Sequence, residues 1–297
     1  MFIDFLNEVF QKYSDDTWMI WKDTECSYGS LRQQVLEWGN TIEGHGISPG
    51  DVVALTGDFS PSSVAAFLAL IERGCVVVPL VASVAARRDA LLAVSQANVS
   101  ITISGADSHE ISSIHRTPDH PLYRELRDRQ HPGLVIFSSG SSGESKAAVH
   151  DAVRMLERFR VRRRRIRTIA FLLFDHIGGI NTMLYALSNG GTLVVVPDRS
   201  PDSVLAAIER HSVELLPTSP TFINLILLSD AYRRHDLSSL NTVTYGTEPM
   251  PDTTLRRFTE IAPRVKMQQS YGLSELGILR SRSRDSRSTW VKIGGDG

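Results

Sequence analysis

Residues 134–150 read LVIFSSGSSGESKAAVH. The apolar run Leu134–Phe137 passes directly into serines and glycines that end at Lys146. Such a run predicts a buried strand, and glycines without a Cβ let backbone N–H groups converge on an anion. Hydroxyls and a lysine add donors and positive charge, so we expect a loop that cradles a polyphosphate. The alternative interpretation is a flexible Gly/Ser connector that binds no ligand.

The spacing of the two glycines separates this loop from the best-known phosphate loop. Gly140 and Gly143 are three positions apart, whereas a Walker A loop has four residues between its glycines and continues Gly-Lys-Ser/Thr. A polyphosphate loop of another kind is therefore expected.

Outside this segment, short β-branched runs alternate with amphipathic stretches, which is typical of α/β proteins with mostly parallel sheets. Several runs, such as VVVPL and TLVVVP, are apolar at both parities and predict strands covered on both faces. The predicted strands are Val52–Thr56, Cys75–Leu80, Ile101–Ser104, Gly133–Phe137, Thr168–Leu173, Thr192–Val196, Glu214–Pro217, Thr242–Tyr245 and Lys266–Gln269.

Serine followed by proline predicts three helix starts, because the hydroxyl can cap the first turn and proline fits its first position. These pairs are Ser60–Pro61, Ser200–Pro201 and Ser219–Pro220, and Met250–Pro251–Asp252 is expected to open a fourth helix.

The polar stretch from Asp107 to Pro132 is interpreted as a connection between two packed α/β subdomains, residues 1–130 and 131–297. The four arginines Arg162–Arg165 are expected at a solvated helix end, with an anion-binding or partner-binding surface as the alternative.

Composition excludes several other classes of protein. Hydrophobic residues make up 42% and charged residues 22% of the chain, and the net charge of −1 argues against a nucleic-acid binder. The cysteines, Cys26 and Cys75, have no metal-binding spacing, so a reducing cytoplasm is expected. Neither a signal peptide nor an apolar run near the roughly 20 residues of a membrane span is recognisable, so we expect a soluble protein.

Four motifs in a fixed order carry a resemblance to a known family. SSGSSGESKA at 138–147, LLFDHIGG at 172–179, YGTEP at 245–249 and QSYGLSE at 269–275 resemble the signatures of the adenylate-forming superfamily of acyl-CoA synthetases, luciferases and peptide-synthetase adenylation domains. Ser142, Ser145, Ala147 and Ser274 stand where the family forms SSGSTGxPKG and YGxTE have threonine, proline, glycine and threonine.

The resemblance assigns roles by motif. It implies that Lys146 and the loop hold the β- and γ-phosphates of ATP, that Ser274 contacts the α-phosphate, that Glu275 binds Mg²⁺ and that His176 lies beside the acid. It also implies that the turn after Tyr245 lines the adenine pocket and that Tyr271 stacks on adenine. The remaining implied nucleotide-binding residues are Ser138, Ser139, Gly140, Ser141, Ser142, Gly143, Gly246, Thr247, Glu248, Pro249 and Gly272.

The implied reaction joins a carboxylic acid to AMP and then transfers the acyl group to a thiol, of CoA or of an acyl carrier protein's phosphopantetheine. A fatty or aromatic acid is favoured, although Asp175 beside His176 could instead indicate an amino acid. The family's later ribose-binding aspartate and small C-terminal domain are not in these 297 residues, so alone they are expected to be weakly active or inactive. A binding module that holds nucleotide or acyl adenylate is the alternative. A kinase is disfavoured because Walker A and HRD–DFG motifs are missing.

Overall fold

The structure is a computed structural model that describes residues 1–139, 145–196, 198–275, 277–279 and 281–294. The strands are β1 (Thr17–Trp21), β2 (Thr24–Ser27), β3 (Val52–Thr56), β4 (Val76–Leu80), β5 (Val99–Ile103), β6 (His109–Ser113), β7 (Gly133–Ser139), β8 (Ser145–Asp151), β9 (Arg167–Ile169), β10 (Thr192–Val194), β11 (Leu215–Thr218), β12 (Thr242–Tyr245), β13 (Lys266–Gln269), β14 (Tyr271–Leu273), β15 (Gly277–Leu279), β16 (Ser281–Ser283) and β17 (Val291–Ile293). The α-helices are α1 (Asp4–Lys12), α2 (Tyr28–Gly44), α3 (Pro61–Arg73), α4 (Arg88–Val94), α5 (Pro121–Asp128), α6 (Ala152–Glu157), α7 (Ile177–Ser188), α8 (Pro201–His211), α9 (Pro220–Ser229) and α10 (Asp252–Ile261). Short 3-10 helices lie at Ala82–Arg87 and Ala231–Arg233.

A six-stranded sheet has the order β6-β5-β3-β4-β7-β8. Its inner pairs are parallel, whereas β6 and β8 pair antiparallel at the two edges. Every residue of β3 and β4 is buried, as expected for central strands covered on both faces. Strand β8 is therefore an edge strand, and it borders the candidate site described below.

A seven-stranded sheet has the order β13-β12-β11-β9-β10-β1-β2. Its pairs are parallel except for the β1–β2 hairpin at one edge. Two hairpins, β14–β15 and β16–β17, form separate two-stranded sheets. The predicted α/β class with mostly parallel sheets is confirmed.

Each of the nine predicted strands corresponds to a strand of the structure, with shifted ends in most cases. The largest difference is at Thr168–Leu173, where the strand stops at Ile169. Beyond it the chain turns towards α7: the backbone N–H of His176 donates to the Leu173 carbonyl at 3.1 Å. The Leu173 carbonyl therefore accepts a hydrogen bond from the residue that precedes helix α7, and not from a neighbouring strand.

The predicted helix starts are confirmed. Ser60, Ser200 and Ser219 each accept a hydrogen bond from the backbone N–H three residues later, which satisfies a donor that the first helical turn would otherwise leave free. Helix α10 begins at Asp252, as expected.

Residues 107–132, interpreted as a connection between two subdomains, contain β6 and α5. Strand β6 lies at the edge of its sheet, and of its side chains only Ile111 is half-buried, so it has no apolar alternation. Helix α5 buries Tyr123 and Leu126, and the Tyr123 hydroxyl donates to the Ser95 carbonyl at 2.8 Å.

The two sheets do not divide at residue 130. Strands β1 and β2 belong to the seven-stranded sheet with β9–β13, and β7 and β8 belong to the six-stranded sheet with β3–β6. The chain therefore crosses between the sheets twice, because β1 pairs with β10 and β4 pairs with β7. The division into subdomains 1–130 and 131–297 stays a prediction.

The four arginines follow α6 but do not lie at its end. They occupy an irregular segment before β9, and the side chains of Arg162, Arg164 and Arg165 bond to residues distant in sequence. Arg162 donates to the Ser188 carbonyl at 2.9 Å, and Arg165 pairs with Asp16 at 2.8 Å. The expectation of a helix end is therefore wrong.

Of the helices in the described part of the chain, none combines the length and apolar character needed to cross a bilayer.

Candidate active site

Three neighbouring parallel strands bring two of the predicted motifs to one edge of the seven-stranded sheet. Strands β11, β12 and β13 are in register, with Thr218 opposite Tyr245 and Tyr245 opposite Gln269. Their carboxyl ends therefore lie side by side, and the segments that follow are 246–249 after β12 and 270–275 after β13. In α/β sheets, ligands bind beyond such carboxyl ends.

The two segments touch through their backbones. The N–H of Ser270 donates to the Tyr245 carbonyl at 2.7 Å. A Cβ at Gly246 would stand 2.6 Å from the Ser270 carbonyl oxygen, so only glycine permits this approach. Thr247 has φ +72°, a left-handed conformation that is strained for a β-branched residue and that clusters at functional sites.

Glu248 supports the neighbouring helix. Its Oε1 accepts from the Thr221 backbone N–H at 2.8 Å, in the first turn of α9, where a carboxylate also favours the helix dipole. The side chain of Glu248 is thereby fixed, and Pro249 follows it directly.

The serine–glycine loop joins the two strands of an antiparallel hairpin. Ser138 lies opposite Lys146 and Ser139 opposite Ser145, whereas Gly140, Ser141, Ser142 and Gly143 lie outside the described residues. Because side chains alternate along a strand, Lys146 shares a face of β8 with His150, and their Cα atoms are about 13 Å apart along it.

His150 connects this hairpin to the Tyr271–Glu275 motif. Its Nε2 donates to the Ser274 carbonyl at 2.5 Å. Burial lowers the pKa of His150 below its ordinary 6.5, assisted by the charge of Arg158 and opposed by the Ser274 carbonyl and Glu275. At neutral pH the ring is therefore uncharged, with its proton on Nε2.

A second contact lies one helix further on. Arg158, just after α6, donates from Nη1 to the Ile278 carbonyl at 2.7 Å. The segment that carries Lys146 and the segment that carries Glu275 are thus adjacent in space, joined by two hydrogen bonds.

A cavity of about 390 Å³ lies where these elements meet. His150 and Glu275 both border it, together with side chains of α6 and α7. Met155, Phe159, Ile177 and Ile278 give it an apolar wall. The lining also carries charged and polar groups, from Glu125, Arg129, Asp151, Arg154, Arg158 and Asn181.

His176 caps α7, since its Nδ1 accepts from the Gly178 N–H at 3.0 Å. Burial lowers its pKa below 6.5, so the neutral ring carries its proton on Nε2. Within the described residues, its ring makes no hydrogen bond to another predicted site residue, although Ile177 next to it lines the cavity. Burial raises the pKa of the adjacent Asp175 above its ordinary 3.8.

Tyr271 and Gly272 belong to β14, where Tyr271 pairs with Leu279 and keeps 38% of its surface exposed. Glu275 is exposed and forms no ion pair with the described residues. The described residues also contain no group of three or more His, Cys, Asp or Glu side chains placed to hold a metal. A free carboxylate beside a hydroxyl fits Mg²⁺ that takes its other ligands from phosphate and water.

Comparisons with known proteins identify the family of the chain. The sequence model of the AMP-binding enzyme family matches residues 6–294. The chain belongs to the AMP-binding enzyme family. Feruloyl-CoA synthase of Amycolatopsis sp is 28% identical over 284 residues, which cover 85% of this chain and 55% of that protein. The chain thus spans about half the length of such curated relatives.

Solved structures share the fold of this AMP-binding chain. The luciferase-like enzyme of the mealworm Zophobas morio superposes with a TM-score of 0.77 at 21% identity, covering 94% of this chain and 73% of that one. The NpsA N-terminal subdomain of Klebsiella oxytoca, in complex with 3-hydroxyanthranilyl-AMSN, has a TM-score of 0.76 at 19% identity, covering 98% and 74%. At such identities the likeness shows the fold.

Sequence reasoning did not single out His150, Arg158 or Asn181 as candidate functional residues. The period-2 spacing from Lys146 to His150 indicates a shared face of β8, but nothing local indicates which partner that face meets. The contact from His150 to Ser274 joins positions 124 apart in sequence.

Proposed function

We propose that this AMP-binding chain carries the ATP and acid sites of a ligase. The enzyme activates a carboxylic acid as an acyl adenylate and, as a full-length protein, transfers the acyl group to the thiol of CoA or of a carrier-protein phosphopantetheine. The observation that carries the proposal is the His150–Ser274 contact, because it sets the strand of Lys146 and the segment of Glu275 against one cavity.

In the proposed mechanism the residues neutralise charge and orient the reactants, as in phosphoryl-type transfers that need no protein nucleophile. Lys146 and the loop after Ser138 hold the departing phosphates. Ser274 orients the α-phosphate, and Glu275 holds Mg²⁺, which would neutralise phosphate charge. The turn Gly246–Pro249 presents backbone groups to the base, and Tyr271 offers its exposed ring for stacking.

His176 borders the carboxylate end of the acid in this proposal, outside the cavity, whose lining includes the adjacent Ile177 but not His176 itself. Its lowered pKa leaves it uncharged at neutral pH. An uncharged Nε2–H can donate to the carboxylate without forming a fixed ion pair with the attacking oxygen, so the nucleophile keeps its charge.

The cavity favours an aromatic acid with a polar substituent over a fatty acid. Its volume of about 390 Å³ is at the compact end of ligand sites, and its apolar wall suits a ring. The half-buried Asn181 lines it without a side-chain hydrogen bond to the described residues, and an aliphatic tail would offer that amide no hydrogen-bond partner. Feruloyl-CoA synthase is named for an aromatic acyl group of this kind.

ATP–pyrophosphate exchange tests the proposal, with this chain and with the protein extended through the rest of its reading frame. Aromatic, fatty and amino acids are compared as substrates. We expect exchange with oxygenated aromatic acids in the extended protein, and loss of exchange in Lys146→Ala and Glu275→Ala. Unchanged exchange in both variants would refute the assigned roles. ATP binding by the extended protein without exchange of any acid would favour the binding-module alternative.

A further inference from the structure

Two side chains from the β8–α6 segment bind backbone carbonyls on both sides of Glu275. His150, near the end of β8, donates to the Ser274 carbonyl at 2.5 Å, and Arg158, just after α6, donates to the Ile278 carbonyl at 2.7 Å. Only Asp151 and helix α6 separate the two donors in the chain. The acceptors immediately precede and closely follow Glu275.

The segment held in this way belongs to neither large sheet. Strands β14 and β15 pair only with each other among the described strands. Gly277, the first residue of β15, has φ +71°, a conformation open to glycine, and a Cβ there would lie 3.6 Å from the Arg158 Nη1. The Arg158 guanidinium therefore lies beside Gly277 and donates to the carbonyl of the next residue, Ile278.

The chemistry of both contacts suits backbone positioning. A carbonyl accepts from the neutral imidazole and from the guanidinium alike, so the Ser274 hydroxyl and the Glu275 carboxylate stay free. Arg158 also brings a positive charge near Glu275 without an ion pair between them among the described residues.

We propose that His150 and Arg158 are positioning residues, which fix the backbone at Ser274 and at Ile278 so that the Glu275 carboxylate faces the hairpin of Lys146. This inference rests on the proposed function, since it assumes that Mg-ATP is held between these two segments. It assigns the geometry of the metal-binding carboxylate to two side chains that do not touch the metal.

The test is isothermal titration of the 297-residue chain with ATP, in Mg²⁺ and in EDTA. His150→Leu and Arg158→Met each remove one donor, and His150→Gln keeps a donor near the position of Nε2. Arg160→Met is the matched control, because Arg160 is an exposed neighbour that pairs with Glu157 at 2.9 Å and does not line the cavity. Thermal melting of every variant checks that it folds.

We expect His150→Leu and Arg158→Met to raise the Kd for Mg-ATP about tenfold, as for loss of one hydrogen bond to a binding group. His150→Gln should stay within about threefold of wild type and Arg160→Met should match wild type. In EDTA all five proteins should bind ATP equally, because the effect passes through the metal carboxylate.

Equal losses in Mg²⁺ and in EDTA would overturn the positioning role, and so would unchanged binding in the two donor-removing variants. A wild-type chain whose ATP binding is indifferent to Mg²⁺ would overturn the proposed nucleotide site itself, and the positioning role with it. The two failures are therefore distinguishable.

Discussion

At the scale of single residues, the proposed function has Lys146 contribute positive charge towards the phosphate tail of the nucleotide. Lys146→Met should weaken ATP binding about 10- to 100-fold, the range for a lost charge-assisted hydrogen bond. AMP binding should change little, because AMP lacks the β- and γ-phosphates. Competitive titration of both nucleotides measures this difference.

Lys266→Met is the control for that substitution. Lys266 is the first residue of β13, and the segment that carries Glu275 follows the other end of this strand. Lys266→Met therefore removes the same charge as Lys146→Met, but away from the proposed phosphate site. Equal losses of ATP affinity in both variants would mean that overall charge, and not the loop, attracts the nucleotide.

At Gly179 the backbone of another segment lies so close that only glycine fits. A Cβ there would stand 2.0 Å from the Leu173 carbonyl oxygen, so Gly179→Ala must displace backbone. We expect a loss of about 1–3 kcal/mol in unfolding free energy, as for other overpacked sites. Urea denaturation monitored by circular dichroism gives the value.

Gly39→Ala should have the opposite effect. Gly39 lies within α2, and nothing is found within 4 Å of its added Cβ. Alanine in a helix interior is better than glycine by about 0.5–1 kcal/mol. Stabilisation by Gly179→Ala, or destabilisation by Gly39→Ala, would contradict these packing arguments.

At the scale of elements, the cap of α8 is a local contribution to stability. Ser200 accepts from the Ser203 N–H at 3.2 Å, and Ser200→Ala should cost about 1 kcal/mol. Ser200→Thr keeps the acceptor and should cost less. Equal chemical-denaturation midpoints for Ser200→Ala and wild type would show that α8 does not depend on this cap.

Helix α7 has a cap that titrates. The Nδ1 of His176 must be unprotonated to accept from Gly178, and burial lowers the His176 pKa below 6.5. Below pH 6.5 the unfolded chain therefore binds the proton more readily, so stability is full above that pH and falls as the pH drops towards the folded pKa. Thermal melting from pH 7.5 to 5 should show this loss.

His176→Asn tests the cause, because asparagine can cap a helix but does not titrate in this range. The variant should lose less stability than wild type between pH 6.5 and 5. Since His150 and His211 also have lowered pKa values with burial as the main cause, part of the slope will remain. An unchanged slope would remove His176 from the explanation.

At the scale of the whole molecule, the two sheets depend on distant parts of the chain. Residues 131–297 alone lack β1, which pairs with β10, and β4, which pairs with β7. Both sheets would then expose unpaired strand edges and apolar surface. We expect this fragment to show no cooperative thermal transition, whereas the 297-residue chain should show one.

Circular dichroism melting and the dispersion of amide proton shifts measure that difference. A fragment 131–297 that melts cooperatively would mean that the predicted boundary marks an autonomous domain and that the shared sheets are dispensable for its folding.

The fold class, the approximate positions of nine strands, the three serine caps and the family motifs could all be predicted from the amino-acid sequence. These features can be predicted because each is set by residues close together in the sequence, such as an apolar run, a hydroxyl before proline or a glycine in a turn. Two features were not predicted correctly. Strand β6 lies at a sheet edge and has no apolar alternation, and the arginines Arg162–Arg165 contact residues distant in sequence, such as Asp16 for Arg165.

Which helices and strands contact one another could be seen in the folded structure but not predicted from the sequence. The fold placed β1 and β2 in the sheet of the later half, engaged Glu248 at the start of α9, and brought His150 to Ser274. Such contacts depend on the path of the chain between positions far apart, and no local pattern records that path. The candidate residues were therefore recognisable in the sequence, whereas the contact between His150 and Ser274 and the cavity that His150 and Glu275 border were not.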